Sequence, residues 1–301
     1  MQPQAIGKFS VSRVVESEGP AFPLNVLIPH AEPEALAEHR HWLEPTFIEP
    51  SSGTLIMSFH SYIIRTERHT IVVDACIGND KERPDFPDMH RLQTPYLANL
   101  AVTGIHPEEV DYLMCTHMHP DHVGWNTRLQ DGRWIPTFPN AQYLFSRTEL
   151  ETWENYVNNA TDREHDPLPK SVSNVQRACY EDSVLPIMEA GKAVLIDEGH
   201  EVEPGIFVES APGHTPGNTV INLESEGASA LLCGDVLHHP LQLPFPQWSS
   251  AFCFDPVQSA TTRRRLLERI ADSSTFLMPA HFPSPTCTRI CGHADGFLLA
   301  P

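Results

Sequence analysis

Apolar residues in this chain fall into short dense runs, and their period separates strands from helices. TLIMSFHSYIIRT (54–66) and HTIVVDACIG (69–78) are rich in β-branched and aromatic residues and predict two strands joined by a tight turn. RLQTPYLANLAVTG (91–104) has helical spacing and a terminating Gly104. DYLMCT (111–116) and QYLFS (142–146) predict short buried strands, and RTELETWENYVNN (147–159) and SNVQRACYEDSVLPIMEAG (173–191) predict helices. Strands return in quick succession at IFVESAPG (206–213), NTVINLES (218–225) and ASALLCGD (228–235). DPVQSATTRRRLLERIADS (255–273) predicts an amphipathic helix with Asp255 as N-cap and Arg263 to Arg265 on its solvated side. TFLMPAH (275–281) predicts a last buried strand. This order suits two sheets packed face to face with helices outside.

Two stretches stand apart. Residues 1–50 read as an N-terminal extension and 150–190 as a helical insertion, both helix or loop, with exposed aromatics such as Trp42 and Trp153. They are expected either to cover an active site or to form a homodimer interface, and the sequence does not choose.

Composition narrows the picture. The chain has 301 residues, no low-complexity linker and no internal repeat, so a single domain over 1–301 is expected. The 28 prolines, set among recurring apolar runs, predict shaped loops rather than disorder. A formal net charge of -19 repels phosphate backbones and argues against DNA or RNA as a partner. No run approaches the roughly 18 apolar residues of a membrane helix, and MQPQAIGKFSVSRVV lacks a signal-peptide core. A cytoplasmic location is therefore expected. The seven irregularly spaced cysteines fit free thiols, including the close pair Cys287 and Cys291.

The densest chemistry is THMHPDHVGW (116–125), which follows a predicted strand. Alternate residues of an extended segment face the same way, so His117 and His119 can face one metal. Pro120 can start a helix without losing a needed N–H, and Asp121 and His122 then sit on its first turn, aimed at a second point. Imidazoles with carboxylates are the ligands expected for zinc or a related transition metal. Four ligands rarely satisfy two metals. His214, Asp235 and His281 each lie at the C-terminal end of a predicted strand and complete a set of five histidines and two aspartates.

THMHPDH resembles the HxHxDH signature of the metallo-β-lactamase superfamily, and the likeness extends to APGHTPG, LLCGDV, LMPAHFP and IVVDACIG, together spanning about residues 54–285. The resemblance implies an α+β fold, an αββα sandwich of two mixed sheets flanked by helices, with two divalent metal ions, zinc first among them. It implies that His117, His119 and His214 bind one ion, that Asp121, His122 and His281 bind the other, and that Asp235 bridges both. Asp74 matches a supporting position behind the ligands, and a plain strand-end turn residue is an equal reading of it.

Between two such metals a hydroxide would be nucleophilic at neutral pH, and Asp121 would accept its proton. The sequence resembles the branch holding lactonases and methyl parathion hydrolases. His238, three residues after Asp235, stands where acyl-homoserine lactonases carry a tyrosine and the methyl parathion hydrolase pattern has a histidine. It is expected to hydrogen-bond a leaving group or a metal ligand. In HHPLQLPFPQWSSAFCF (238–254), Phe245, Trp248 and Phe252 are expected to wall an apolar pocket together with Trp125, although each ring singly also suits a core. The expected function is hydrolysis of a small apolar or aromatic ester or lactone, with phosphotriesters also within reach. The alternative is a mononuclear iron enzyme of the persulfide dioxygenase type, and metal analysis separates the two.

Overall fold

The structure is a computed structural model that describes residues 2–158 and 170–300. Its strands in chain order are β1 (Gln4–Ile6), β2 (Phe9–Pro23), β3 (Thr54–Arg65), β4 (Thr70–Val73), β5 (Tyr112–Met114), β6 (Thr127–Gln130), β7 (Arg133–Pro136) and β8 (Gln142–Ser146). They continue with β9 (Ala193–Ile196), β10 (Glu201–Glu203), β11 (Ile206–Ser210), β12 (Thr219–Ser225), β13 (Ala228–Gly234), β14 (Phe276–Pro279), β15 (Ile290–His293) and β16 (Gly296–Leu299). The helices are α1 (Leu24–Leu27), α2 (Arg40–Leu43), α3 (Tyr96–Val102), α4 (Pro120–Val123), α5 (Arg147–Asn158), α6 (Lys170–Cys179), α7 (Leu185–Glu189) and α8 (Pro256–Ile270). Seven strands form a mixed sheet in the order β1-β2-β3-β4-β5-β8-β9, and β10 to β14 form a second, five-stranded mixed sheet. The α+β class with two mixed sheets and flanking helices is thus as expected.

The chain divides into two compact units. One comprises Phe9–Glu16 and Phe59–Asp197, the other Met1–Lys8, Ser17–Ser58 and Glu198–Pro301.

In the unit containing 59–197, β4, β5, β8 and β9 run parallel, with Val73, Met114 and Leu144 side by side. Parallel strands buried on both faces need nearly continuous apolar sequence, which is why TIVV and YLM are so short and so dense. Val72, Leu113, Tyr143, Phe145 and Trp153 share one core cluster. The predicted tight turn between β3 and β4 is present, with Thr66 Oγ1 accepting from the N–H groups of Arg68 and His69. The helix expected over 91–104 is confined to α3, because Pro95 disfavours helical backbone at Thr94. Gly104 closes it at φ +76°. The helix expected over 173–191 is interrupted by a π-helical turn at Tyr180–Val184. Pro186 has no N–H to offer the Asp182 carbonyl. That carbonyl accepts instead from Thr127 Oγ1 and from Lys81 Nζ at 3.2 Å. Asn159, the last residue of the predicted 147–159 helix, and residues 159–169 of the insertion lie outside the described residues.

In the unit containing 198–301, β10 to β13 are antiparallel and β14 pairs parallel to β13. The apolar stripe Leu266, Leu267 and Ile270 of α8 packs with Leu231, Cys233 and Leu277. Asp255 caps α8 as predicted, its Oδ1 accepting from the Val257 and Gln258 N–H groups.

Three expectations need correction. A substantial part of the N-terminal 50 residues is strand, and FSVSRVVE buries Phe9, Val11, Val14 and Glu16, with a slip of the two-residue period at Ser12 and Arg13. Trp153 is buried in the core, with Nε1 bonded to Glu149. Arg263 is fully buried rather than solvated. Among the described residues, no helix is long and apolar enough to cross a membrane.

Candidate functional site

In the first unit, β5 lies between β4 and β8 and delivers the chain into the histidine-rich segment. His119 has extended backbone and precedes α4, with Pro120 at the first helical position, as its fixed φ favours. The turn closes with the His122 N–H donating to the His119 carbonyl at 3.0 Å. The rings of His117 and His119 lie 4.7 Å apart between centroids, and those of His117 and His122 lie 4.0 Å apart.

Hydrogen bonds assign the ring nitrogens. Asp74 faces His122 Nδ1 at 3.0 Å and accepts from the Thr116 N–H at 2.8 Å and the Thr116 hydroxyl at 2.9 Å. An ionised carboxylate only accepts, so His122 Nδ1 carries the proton and the lone pair sits on Nε2. The Thr116 hydroxyl gives its hydrogen to Asp74, so His117 Nδ1, 3.1 Å away, donates to that hydroxyl and keeps its lone pair on Nε2. This is the second layer of partners that orients imidazole ligands. Asp74 itself adopts φ +59°.

The segment after α4 is zipped to the chain following β4. Ala75 N–H donates to the His122 carbonyl, Gly124 N–H to Cys76 and Trp125 N–H to Ala75. A Cβ on Gly124 would lie 1.8 Å from the Ile77 carbonyl oxygen, so only glycine permits this approach. Trp125 itself lies in the core, stacked on Tyr96 at 5.2 Å, with its Nε1 bonded to the buried Glu16.

In the second unit, the parallel register that pairs Gly234 with Pro279 brings the ends of β13 and β14 to one edge. Asp235 follows β13 directly, His281 follows β14 after Ala280, and His214 follows β11 in the same sheet. The buried Asp235 carboxylate is surrounded by imidazoles. His281 Nε2 lies 3.0 Å from Oδ1, and His214 Nε2 and His238 Nε2 each lie 3.2 Å from Oδ2. His281 Nδ1 stands 3.1 Å from the Ser58 carbonyl, which can only accept, so this nitrogen carries the proton. The Nε2 lone pair therefore faces a carboxylate oxygen, and a cation belongs between two such acceptors. Imidazole nitrogens with a carboxylate are also the donor set of a transition metal, so these residues fit divalent ions.

Burial alone would lower His214, but the Asp235 carboxylate and the Cys253 sulfur at 3.6 Å raise it to about 9. Burial lowers His238 to about 3 against the pull of Asp235, so this ring is neutral. Its Nε2 also lies 3.2 Å from Ser250 Oγ, while its buried Nδ1 has no hydrogen-bond partner among the described residues.

The loop after Asp235 is held from inside. Arg263 donates to the carbonyls of Val236, Pro246 and Trp248 at 2.6, 2.8 and 3.0 Å. The Gln242 side chain accepts from the His238 and His239 N–H groups and donates to the Trp248 carbonyl. Phe245 and Trp248 stack at 4.0 Å, Trp248 is buried, and half-buried Phe252 meets Phe22 edge-on at 5.7 Å. Arg263 escaped the sequence reading because its neighbours in TTRRRLLER make a run of three arginines look like one solvated face. The helical period was the available signal, since Arg263 stands three residues before Leu266 and four before Leu267.

A family model described as the metallo-beta-lactamase superfamily matches residues 60–299. An N-acyl homoserine lactonase of Bacillus thuringiensis is 25% identical over 238 residues, covering 73% of this chain and 79% of that protein. Among solved structures, a hydrolase of the β-lactamase superfamily, AbOPH, superposes with a TM-score of 0.78 at 21% identity, covering 99% of this chain and 96% of the other. AidC, a dizinc quorum-quenching lactonase, has a TM-score of 0.77 at 20% identity, covering 100% and 96%.

Proposed function

The chain belongs to the metallo-β-lactamase superfamily, and from that premise we propose that it is a hydrolase of small carboxylic esters or lactones using two divalent metal ions, zinc foremost. His117, His119, His214 and Asp235 would hold one cation and Asp121, His122 and His281 the other, with Asp235 shared. Such ions would acidify a bound water and polarise the substrate's oxygen. Asp74 and Thr116 keep the lone pairs of His122 and His117 on Nε2, and Ser58 does the same for His281. Asp121, on the first turn of α4, is the group proposed to accept the proton released on attack. His238 touches Asp235 directly, so it is proposed to orient that carboxylate rather than to contact a leaving group.

The observation that carries this reading is the buried Asp235 carboxylate, with three imidazole nitrogens within 3.2 Å, one of which presents a lone pair to it. Lactones are favoured because an N-acyl homoserine lactonase and a dizinc quorum-quenching lactonase are among the proteins this chain resembles. Phe245, Trp248 and Phe252 are proposed to favour an apolar or aromatic substituent, and phosphotriesters remain a second substrate class for the same machinery. The test combines metal analysis with a panel of lactones, aryl esters and phosphotriesters. Two divalent ions per chain, with lactone or ester turnover abolished by chelation and restored by zinc, are expected. One iron per chain with oxygen uptake, or full activity in stripped protein, would overturn the proposal.

A further inference from the structure

Met118 separates two of the proposed ligands, and side chains of the flanking helices bond its backbone on both sides. Its N–H donates to Glu149 Oε1 of α5 at 3.0 Å, and its carbonyl accepts from Gln176 Nε2 of α6 at 2.6 Å. Cys179 Sγ stands 3.9 Å from the same carbonyl. Glu149 Oε1 also accepts from Trp153 Nε1 at 2.7 Å. Met118, Glu149 and Gln176 are all buried.

The sheet explains why these bonds are needed. The last ladder bond beside β5 is from Cys115 N–H to the Leu144 carbonyl, and Met118 lies beyond it. A buried peptide group past the end of a ladder must find a side chain. The two bonds hold two different peptide planes, because the Met118 N–H belongs to the plane shared with His117 and its carbonyl to the plane shared with His119. Fixing both planes fixes the directions in which His117 and His119 project. The insertion is itself anchored. Asp182, just beyond α6, takes two hydrogen bonds from the Arg83 guanidinium at 2.8 and 2.9 Å, with Lys81 Nζ 3.5 Å away.

We propose that Glu149 and Gln176 are positioning residues that set His117 and His119 for metal, so that α5 and α6 act as a brace on the ligand segment. The inference rests on the reading of His117 and His119 as ligands. It is tested on stripped full-length protein by titrating zinc and cobalt against a chromophoric chelator. Glu149→Ala and Gln176→Met should bind metal at least about tenfold more weakly and change the visible spectrum of the cobalt form. Glu149→Gln keeps an acceptor oxygen and should retain most of the affinity. Arg177→Ala removes the bond from α6 to the Val157 carbonyl without touching Met118, and should lower Tm but leave affinity unchanged. Wild-type affinity in Glu149→Ala and Gln176→Met would overturn the proposal, as would equal losses in Arg177→Ala or in Glu149→Gln. Should Glu149→Ala not fold, Gln176→Met carries the test alone. His117→Ala separates the two levels. If it loses binding while Gln176→Met does not, only the bracing idea fails, whereas wild-type binding in His117→Ala removes the metal reading beneath it.

Discussion

His117, His119, Asp121 and His122 lie within six consecutive residues, whereas His214, Asp235 and His281 come from the ends of three strands. The first set is brought together by local backbone, an extended pair of residues and one helical turn. What tertiary structure adds there is orientation, through a separate partner for each ring: Asp74 for His122 and Thr116 for His117. The second set is brought together by sheet register, and its rings share one partner, the Asp235 carboxylate. A local cluster should therefore lose precision when a supporting residue is removed. A convergent cluster should fail as a whole when its common carboxylate is removed.

Asp235→Ala tests the convergent set and should have the largest effect. A loss of at least about a thousandfold in kcat/KM is expected, roughly 4 kcal/mol of transition-state stabilisation, with metal content reduced and the circular dichroism spectrum kept. Full activity would end the shared-partner account. Asp74→Asn tests the local set. It keeps the shape but weakens the orientation of His122, so metal affinity should fall by about 10- to 100-fold while metal still binds. A loss as complete as that of Asp235→Ala would erase the distinction between the two sets.

Two smaller effects sharpen the comparison. Arg263→Met removes the arginine donor from three loop carbonyls, of which that of Trp248 keeps Gln242, so Tm should fall by a few degrees and KM should rise several-fold. An unchanged KM would separate the 236–248 loop from substrate binding. On the other side, burial lowers the Lys81 ammonium from 10.5 to about 8 against the pull of Asp182. Between those values the unfolded chain binds more protons than the folded one, so this group makes stability rise with pH. Wild-type stability relative to Lys81→Met should therefore grow from pH 8 to 10.5 in denaturant titrations. A difference that stays flat or shrinks would show that Lys81 is not held in this way.

The same contrast governs what could be read before the fold was known. The strands over 54–66, 69–78, 111–116, 142–146, 206–213, 218–225, 228–235 and 275–281 were legible because buried strands are dense in β-branched and aromatic residues. β2 was not, because a half-buried strand such as FSVSRVVE alternates with serine, arginine and glutamate and resembles a polar loop. The π-helical turn at 180–184 was hidden because the apolar pattern continues through it. Its cause, Pro186, was visible, and its consequence, a carbonyl turned to Lys81 and Thr127, was not.

By itself, the sequence determined the donor-rich segment at 117–122, the strand ends bearing His214, Asp235 and His281, and the acidic balance of the chain, because each depends on residue type and short-range spacing. Only the tertiary structure decided which ring nitrogen bears its lone pair, that Arg263 and Trp153 face inward, that Trp125 stacks on Tyr96, and that Glu149 and Gln176 grip Met118. Those outcomes depend on groups as far as 223 residues apart along the chain satisfying one another's hydrogen bonds once water is excluded, and no local pattern encodes such pairings.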